Sequence, residues 1–246
     1  MLKPASAAKL VAAACLALSL AAGNALAIDL KEGKEYAVLP QTQPTDAKGK
    51  IEVTEFFWYG CPHCYEFEPT LNAWLKTLPK DVAFRRVPAD FGRWTGGAKL
   101  FYALEALGEE DRVHKDLFDA VHRDRLDFNN QAAVGEWLAK KGIDRKKFDE
   151  AYNSFSVQSN VSRAQHLTRT HALTGVPAVI VGGKYVTNNV MAGGFEQLPA
   201  VMNELIARLR PSAAPAAAKP EAAAKAAAPK KTKKPAKQAA TSAEQH

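Results

Sequence analysis

The order in which hydrophobic patterns change along this chain constrains its fold more than any other feature. Residues 51–58, IEVTEFFW, are rich in β-formers and too continuous for a strand with one wet face, so they predict a buried strand. Gly60 breaks the run. From Pro62, a residue suited to the first position of a helix, the period becomes helical, with Tyr65, Leu71, Trp74, Leu75 and Leu78 as its apolar stripe. Pro69 inside that stripe predicts a kink. DVAFRRV (81–87) predicts a second strand.

From 95 to 174 the pattern is helical throughout. Thr95 is the expected cap of a helix over 96–107 that Gly108 ends, and Val113, Leu117, Phe118 and Val121 share a face of the next. Asn129 or Asn130 caps a third helix stopped by Gly142, Asp144 caps a fourth over 145–155, and a fifth runs over 157–173. PAVIVGGKYV (177–186) then returns to a strand, a Gly-Gly turn and another strand, and 194–210 closes as an amphipathic helix with Pro199 near its first turn. Strand–helix–strand, a helical block, then strand–strand–helix describes an α/β fold in which helices interrupt one sheet.

The two ends differ from this core. Residues 1–27 carry Lys3 and Lys9, an apolar run over 10–22, and Ala25-Leu26-Ala27, which together predict a cleaved secretory signal peptide. An uncleaved anchor fits less well because the apolar run is too short to span a bilayer. Residues 211–246 are nearly all Ala, Pro and Lys, which predicts a disordered basic tail. Its lysines would either be solvated or tether the protein to an anionic envelope surface. The tail holds seven Lys against two Glu, so with the two leader lysines removed the span 28–210 has 24 basic and 24 acidic residues. The net charge of +7 therefore belongs to the ends, and no nucleic-acid partner is expected.

Removing the leader also removes Cys15, leaving Cys61 and Cys64 as the cysteines of the exported protein. A bridge across two residues closes a loop too small to stabilise a fold much. A zinc site needs about four ligands, and no second pair or tight histidine cluster supplies them. A redox pair is the remaining chemistry. At the first turn of a helix, Cys61 would face unpaired N–H groups and the positive end of the dipole, which favour its thiolate. Cys64, one turn further in, is placed to resolve a mixed disulfide, and Pro62 and His63 are placed to tune the exchange.

FFWYGCPHCYEFEP (56–69), the later TGVPAVIVGGKYV (174–186) and the helical block between them resemble the DsbA-type periplasmic thiol:disulfide oxidoreductases over about residues 30–209. The resemblance implies a thioredoxin-like fold over 28–93 and 175–210 with an all-helical domain inserted at 94–174. It also implies a periplasmic enzyme that introduces disulfides into newly translocated proteins. Its substrates would be reduced or unfolded exported chains, its reoxidant a DsbB-type quinone-linked membrane oxidoreductase, and its form a monomer without cofactor or metal. Cys61 would be the nucleophile, Cys64 the resolving thiol, Pro62 and His63 the tuning pair, and Val176-Pro177 a cis bond facing the disulfide and binding substrate. Glu55 would be a proton acceptor, unless it simply pairs with a nearby base or ends its strand. Gly60 stands where some family members carry a bulky residue.

Other residues are expected to be structural. Glu68 either pairs with Arg86 or is a solvated helix charge. Trp58, Tyr59, Tyr65 and Phe67 are core or line an apolar groove, and Trp74, Trp94 and Trp137 are packing residues. His114, His122 and His171 are expected at surfaces or helix ends without catalytic partners. An isomerase or reductase shares this motif, and a chaperone would use the groove and leave the cysteines idle.

Overall fold

The computed structural model describes residues 28–211, so the leader and the basic tail lie outside the described residues. The strands are β1 (Ala37–Val38), β2 (Ile51–Phe57), β3 (Val82–Pro88), β4 (Ala178–Val181) and β5 (Tyr185–Thr187). They form one sheet in the order β1-β5-β4-β2-β3, with β2 and β3 parallel and the other neighbours antiparallel. Helix α1 (Pro62–Leu75) is the crossover between the two parallel strands. Strand β2 is buried at every position after Ile51, as its continuous apolar character requires at the centre of a covered sheet.

Five helices separate β3 from β4: α2 (Thr95–Ala106), α3 (Glu110–His122), α4 (Gln131–Lys140), α5 (Arg145–Tyr152) and α6 (Phe155–Thr170). Asn130 and Asp144 cap α4 and α5, their side chains accepting from the first-turn N–H groups. Thr95 is not a cap but the first residue of α2, and its hydroxyl donates to Asp90. The buried Asp90 carboxylate also accepts from the Gly92 and Trp94 N–H groups and from Gln165 of α6. One acid thus closes the start of α2 and ties the end of β3 to the helical block.

Several helix boundaries differ from the sequence expectation. Helix α5 ends at Tyr152, because the Ser154 side chain accepts from the Val157 N–H and starts α6 at Phe155. Helix α6 then stops at Thr170. A short helix α7 (Asn189–Ala192) precedes α8 (Leu198–Leu209), and the two-residue β1 completes the sheet edge. The Gly182-Gly183 turn needs glycine twice: both have φ near +60°, and a Cβ on Gly183 would lie 2.0 Å from the Gln43 carbonyl oxygen.

The core has two parts. Phe67, Leu71 and Trp74 of α1 meet Val53, Val179, Val181 and the apolar face of α8. Phe56, Phe57 and Tyr59 meet the helical block through Phe101, Leu117 and Phe118. Strand β2 therefore feeds both parts, and its C-terminal end delivers the chain to the junction between them.

Candidate active site

After Phe57 the chain turns, the Cys61 N–H donating to the Trp58 carbonyl oxygen at 2.9 Å. His122 Nε2 holds the same turn from α3, 2.8 Å from the Tyr59 carbonyl oxygen, while its ring stacks on Tyr65. Cys61 becomes the N-cap of α1 in extended conformation, and Pro62 opens the helix, where its missing N–H costs nothing. Cys61 keeps slight exposure, 8% against none for Cys64, which sits on the buried stripe of α1.

The two thiols are pushed in opposite directions. A hydrogen bond from Cys64 does most to lower Cys61, the Cys64 and His63 N–H groups and the His63 charge add to it, and together they outweigh burial to bring it to about 6. Burial, then Cys61 and Glu55, push Cys64 well above the ordinary thiol range. His63 itself is largely solvent-facing, beside Glu66. Across from the helix start, the Val176-Pro177 peptide is cis, and the Cys61 thiol donates to the Val176 carbonyl oxygen at 3.5 Å. Val176, joined to Pro177 by the cis bond, thus faces Cys61, while Pro62 and His63 follow it in the first turn of α1.

Behind the cysteines lies a buried cluster of charge. The parallel register sets Glu55 of β2 directly opposite Arg86 of β3, with Arg86 Nε 3.3 Å from Glu55 Oε2. Arg86 also reaches Glu68 of α1 at 3.5 Å. His114 of α3 lies 3.3 Å from Glu68 by Nε2 and 2.7 Å from Glu110 by Nδ1, with the Tyr59 hydroxyl 3.0 Å from the same nitrogen. Glu55 is wholly buried and neither of its oxygens has a hydrogen-bond partner among the described residues. Burial raises it to about 8 against the opposing pull of Arg86. Burial also pushes Glu68 and Glu110 up, but His114 and Arg86 outweigh it and hold both low.

One expectation is corrected. His114 is neither a surface nor a helix-end residue: it lies inside α3 and is 4% exposed. His171 does stand at a helix end, as the C-cap of α6, though it is buried there at 6%. His114 falls on the stripe of Val113, Leu117 and Phe118 at helical spacing, a signal present in the sequence, but its partner Glu68 comes from another helix. Of the two readings of Glu68, pairing with Arg86 is the one the structure has: it is 4% exposed and 3.5 Å from that side chain. Gly60 is filled from outside, since a Cβ there would lie 2.6 Å from the Trp58 ring, which stacks on Trp94.

Residues 52–205 match the family model described as a DSBA-like thioredoxin domain. The thiol:disulfide interchange protein DsbA of Azotobacter vinelandii is 46% identical over 183 residues, 74% of this chain and 86% of that protein. This chain belongs to the DsbA family. The DsbA of Burkholderia cepacia is 42% identical over 82% of this chain and 97% of its own length. Among solved structures, Pseudomonas aeruginosa DsbA superposes with a TM-score of 0.70 at 41% identity, covering 73% of this chain and 94% of that one. Xylella fastidiosa DsbA gives 0.68 at 30% identity over 73% of this chain and 97% of that one. The sheet with its interrupting helices is the thioredoxin-like fold of DsbA, and the protein is a thiol:disulfide oxidoreductase that introduces disulfide bonds into other proteins.

Proposed function

We propose that Cys61 is the sulfur that exchanges with substrate and Cys64 the resolving thiol, and that the pair works as an oxidant of newly exported proteins in the periplasm. The observation carrying this reading is the opposite displacement of the two thiols, Cys61 down to about 6 and Cys64 up. A substrate thiolate attacks Cys61 of the oxidised pair, forming a mixed disulfide as the Cys61–Cys64 bond breaks. Cys64 leaves with the electron pair and, because burial disfavours its thiolate, takes a proton from Glu55. A second substrate thiolate then attacks the substrate sulfur of the mixed disulfide. Cys61 departs as a stable thiolate, and the substrate leaves with a disulfide, two electrons poorer. Of the two protons lost by substrate, one replaces that given by Glu55 and one goes to solvent.

Glu55, neutral at rest and titrating near pH 8, suits this donation; in reoxidation it first releases its proton to solvent and, as the carboxylate, takes the Cys64 proton when Cys64 attacks. Val176, whose carbonyl faces Cys61, aligns the extended substrate chain with Pro177 beside it. Reoxidation falls to a DsbB-type quinone-linked membrane protein, and the leader directs export.

Trapping tests the roles. A Cys64→Ala variant, oxidised at Cys61 as a mixed disulfide with glutathione and mixed with a reduced, unfolded exported protein, is expected to pass its bond on. Cys61→Ser is expected to be inactive, with catalysed oxidation lost. Full oxidase activity in Cys61→Ser would overturn the assignment.

A further inference from the structure

The buried cluster can be counted. Facing one another are three carboxyls, Glu55 of β2, Glu68 of α1 and Glu110 of α3, and two cationic side chains, Arg86 of β3 and His114 of α3. Tyr59 from the turn after β2, Cys64 of α1, Asp111 beside Glu110 and the exposed Glu105 of α2, which feels the charge of Glu110, are the further titratable neighbours. With both ring nitrogens of His114 set against carboxylates, the imidazolium is favoured against the opposing effect of burial. Two positive charges then balance two of the three carboxylates, and an unbalanced charge in such a site is strongly disfavoured. One carboxyl must stay protonated, and Glu55 is the one with both oxygens unpartnered among the described residues; Glu110 Oε1 also lacks a hydrogen bond, but it lies 2.7 Å from His114 Nδ1. Of the three, it is also the carboxyl whose charge acts on Cys64.

We propose that His114 is a positioning residue of the exchange reaction: held between Glu68 and Glu110, it supplies the second positive charge of the cluster and so places its single surplus proton on Glu55. The inference rests on the proposed role of Glu55 in proton transfer to Cys64. Glu68 and Glu110 do not touch the reacting sulfurs. They hold the ring and, through it, fix which carboxyl is free to exchange a proton. Relatives with a neutral residue at this position would carry a differently protonated cluster.

Two variants displace the balance in opposite directions. His114→Gln leaves one cation against three carboxylates, so a second carboxyl takes a proton and the titration of Glu55 moves upward by about one pH unit. Glu110→Gln leaves two cations against two carboxylates, so Glu55 ionises and its titration falls below its present value near 8. The double variant His114→Gln/Glu110→Gln restores one surplus proton and is expected to return the wild-type titration. A purely structural role for His114 predicts no such rescue.

Infrared difference spectroscopy of the reduced full-length protein at pH 7 reads protonated carboxyls directly. One buried band is expected in the wild type, two in His114→Gln, none in Glu110→Gln, and one again in the double variant. The pH profile of Cys64 alkylation should move with the band while the Cys61 inflection near 6 holds. Glu55→Gln separates the two ideas. If the wild-type band survives in Glu55→Gln, the Glu55 reading fails, and the His114 reading with it. If Glu55→Gln loses the band but neither His114→Gln nor Glu110→Gln changes band number or profile, His114 alone loses its role. Should His114→Gln not fold, Glu110→Gln and the double variant decide the matter by the same outcomes.

Discussion

At Cys61 the sulfur meets a thiol hydrogen bond from Cys64, the N–H groups of residues 63 and 64, and the His63 charge, all of which favour its anion. The largest of these is the Cys64 hydrogen bond, so Cys64→Ala is expected to raise the Cys61 titration by about one to two pH units, the equivalent of one charge-assisted hydrogen bond. Ultraviolet thiolate absorbance against pH measures it, and an unchanged inflection would shift the credit to the helix N-terminus. This residue-scale chemistry was half legible in the sequence. Two cysteines astride Pro62-His63 at the start of a helix predict which sulfur has its thiolate favoured, because a helix N-terminus is a local feature. His114 and Glu68 were not legible as partners, because 46 residues and a strand separate them and only tertiary packing sets their charges together.

Between β2 and α1 the chain has four residues in which to turn, and Gly60 is the one that cannot gain a side chain freely. Its missing Cβ leaves room for the Trp58 ring, stacked on Trp94 at 4.4 Å. Gly60→Ala is therefore expected to displace that ring and cost about 1–3 kcal/mol, the range for overpacking. Denaturant unfolding followed by tryptophan fluorescence tests both parts, and an unchanged midpoint with an unchanged spectrum would show that the ring can yield freely. At this scale the sequence read well where the signals are local: Asn130 and Asp144 do cap their helices, and Gly182-Gly183 does turn a hairpin. It read poorly where a distant side chain does the local work. Asp90 rather than Thr95 closes the start of α2, and a strand as short as β1 carries no periodicity to detect.

Across the whole molecule, the sheet sets Glu55 against Arg86 by register, α1 brings Cys64 and Glu68, and α3 of the helical block brings Glu110 and His114. The block is thus part of the electrostatic setting of the cysteines as well as packing for Phe57 and Tyr59. The strand–helix–strand and strand–strand–helix halves were visible as changes of period, while the cluster joining them was not, since charged residues leave no periodic mark. The low Cys61 value has a thermodynamic sign. A group whose titration is depressed in the folded dithiol form stabilises that form above its folded value, here from about pH 6 upward, and loses the effect as pH falls through 6. At pH 7 about one unit of that range is realised, ~1.4 kcal/mol or ~30 mV in favour of the reduced protein, which makes its disulfide the stronger oxidant.

The most direct test is the reduction potential of the Cys61–Cys64 pair measured against glutathione from pH 5 to 8. With Cys61 ionising near 6, the potential should fall by about 60 mV per pH unit below that value and about 30 mV per unit above it, while lying well above that of thioredoxin. A single slope of about 60 mV per unit through pH 8, at a potential near thioredoxin's, would contradict the account.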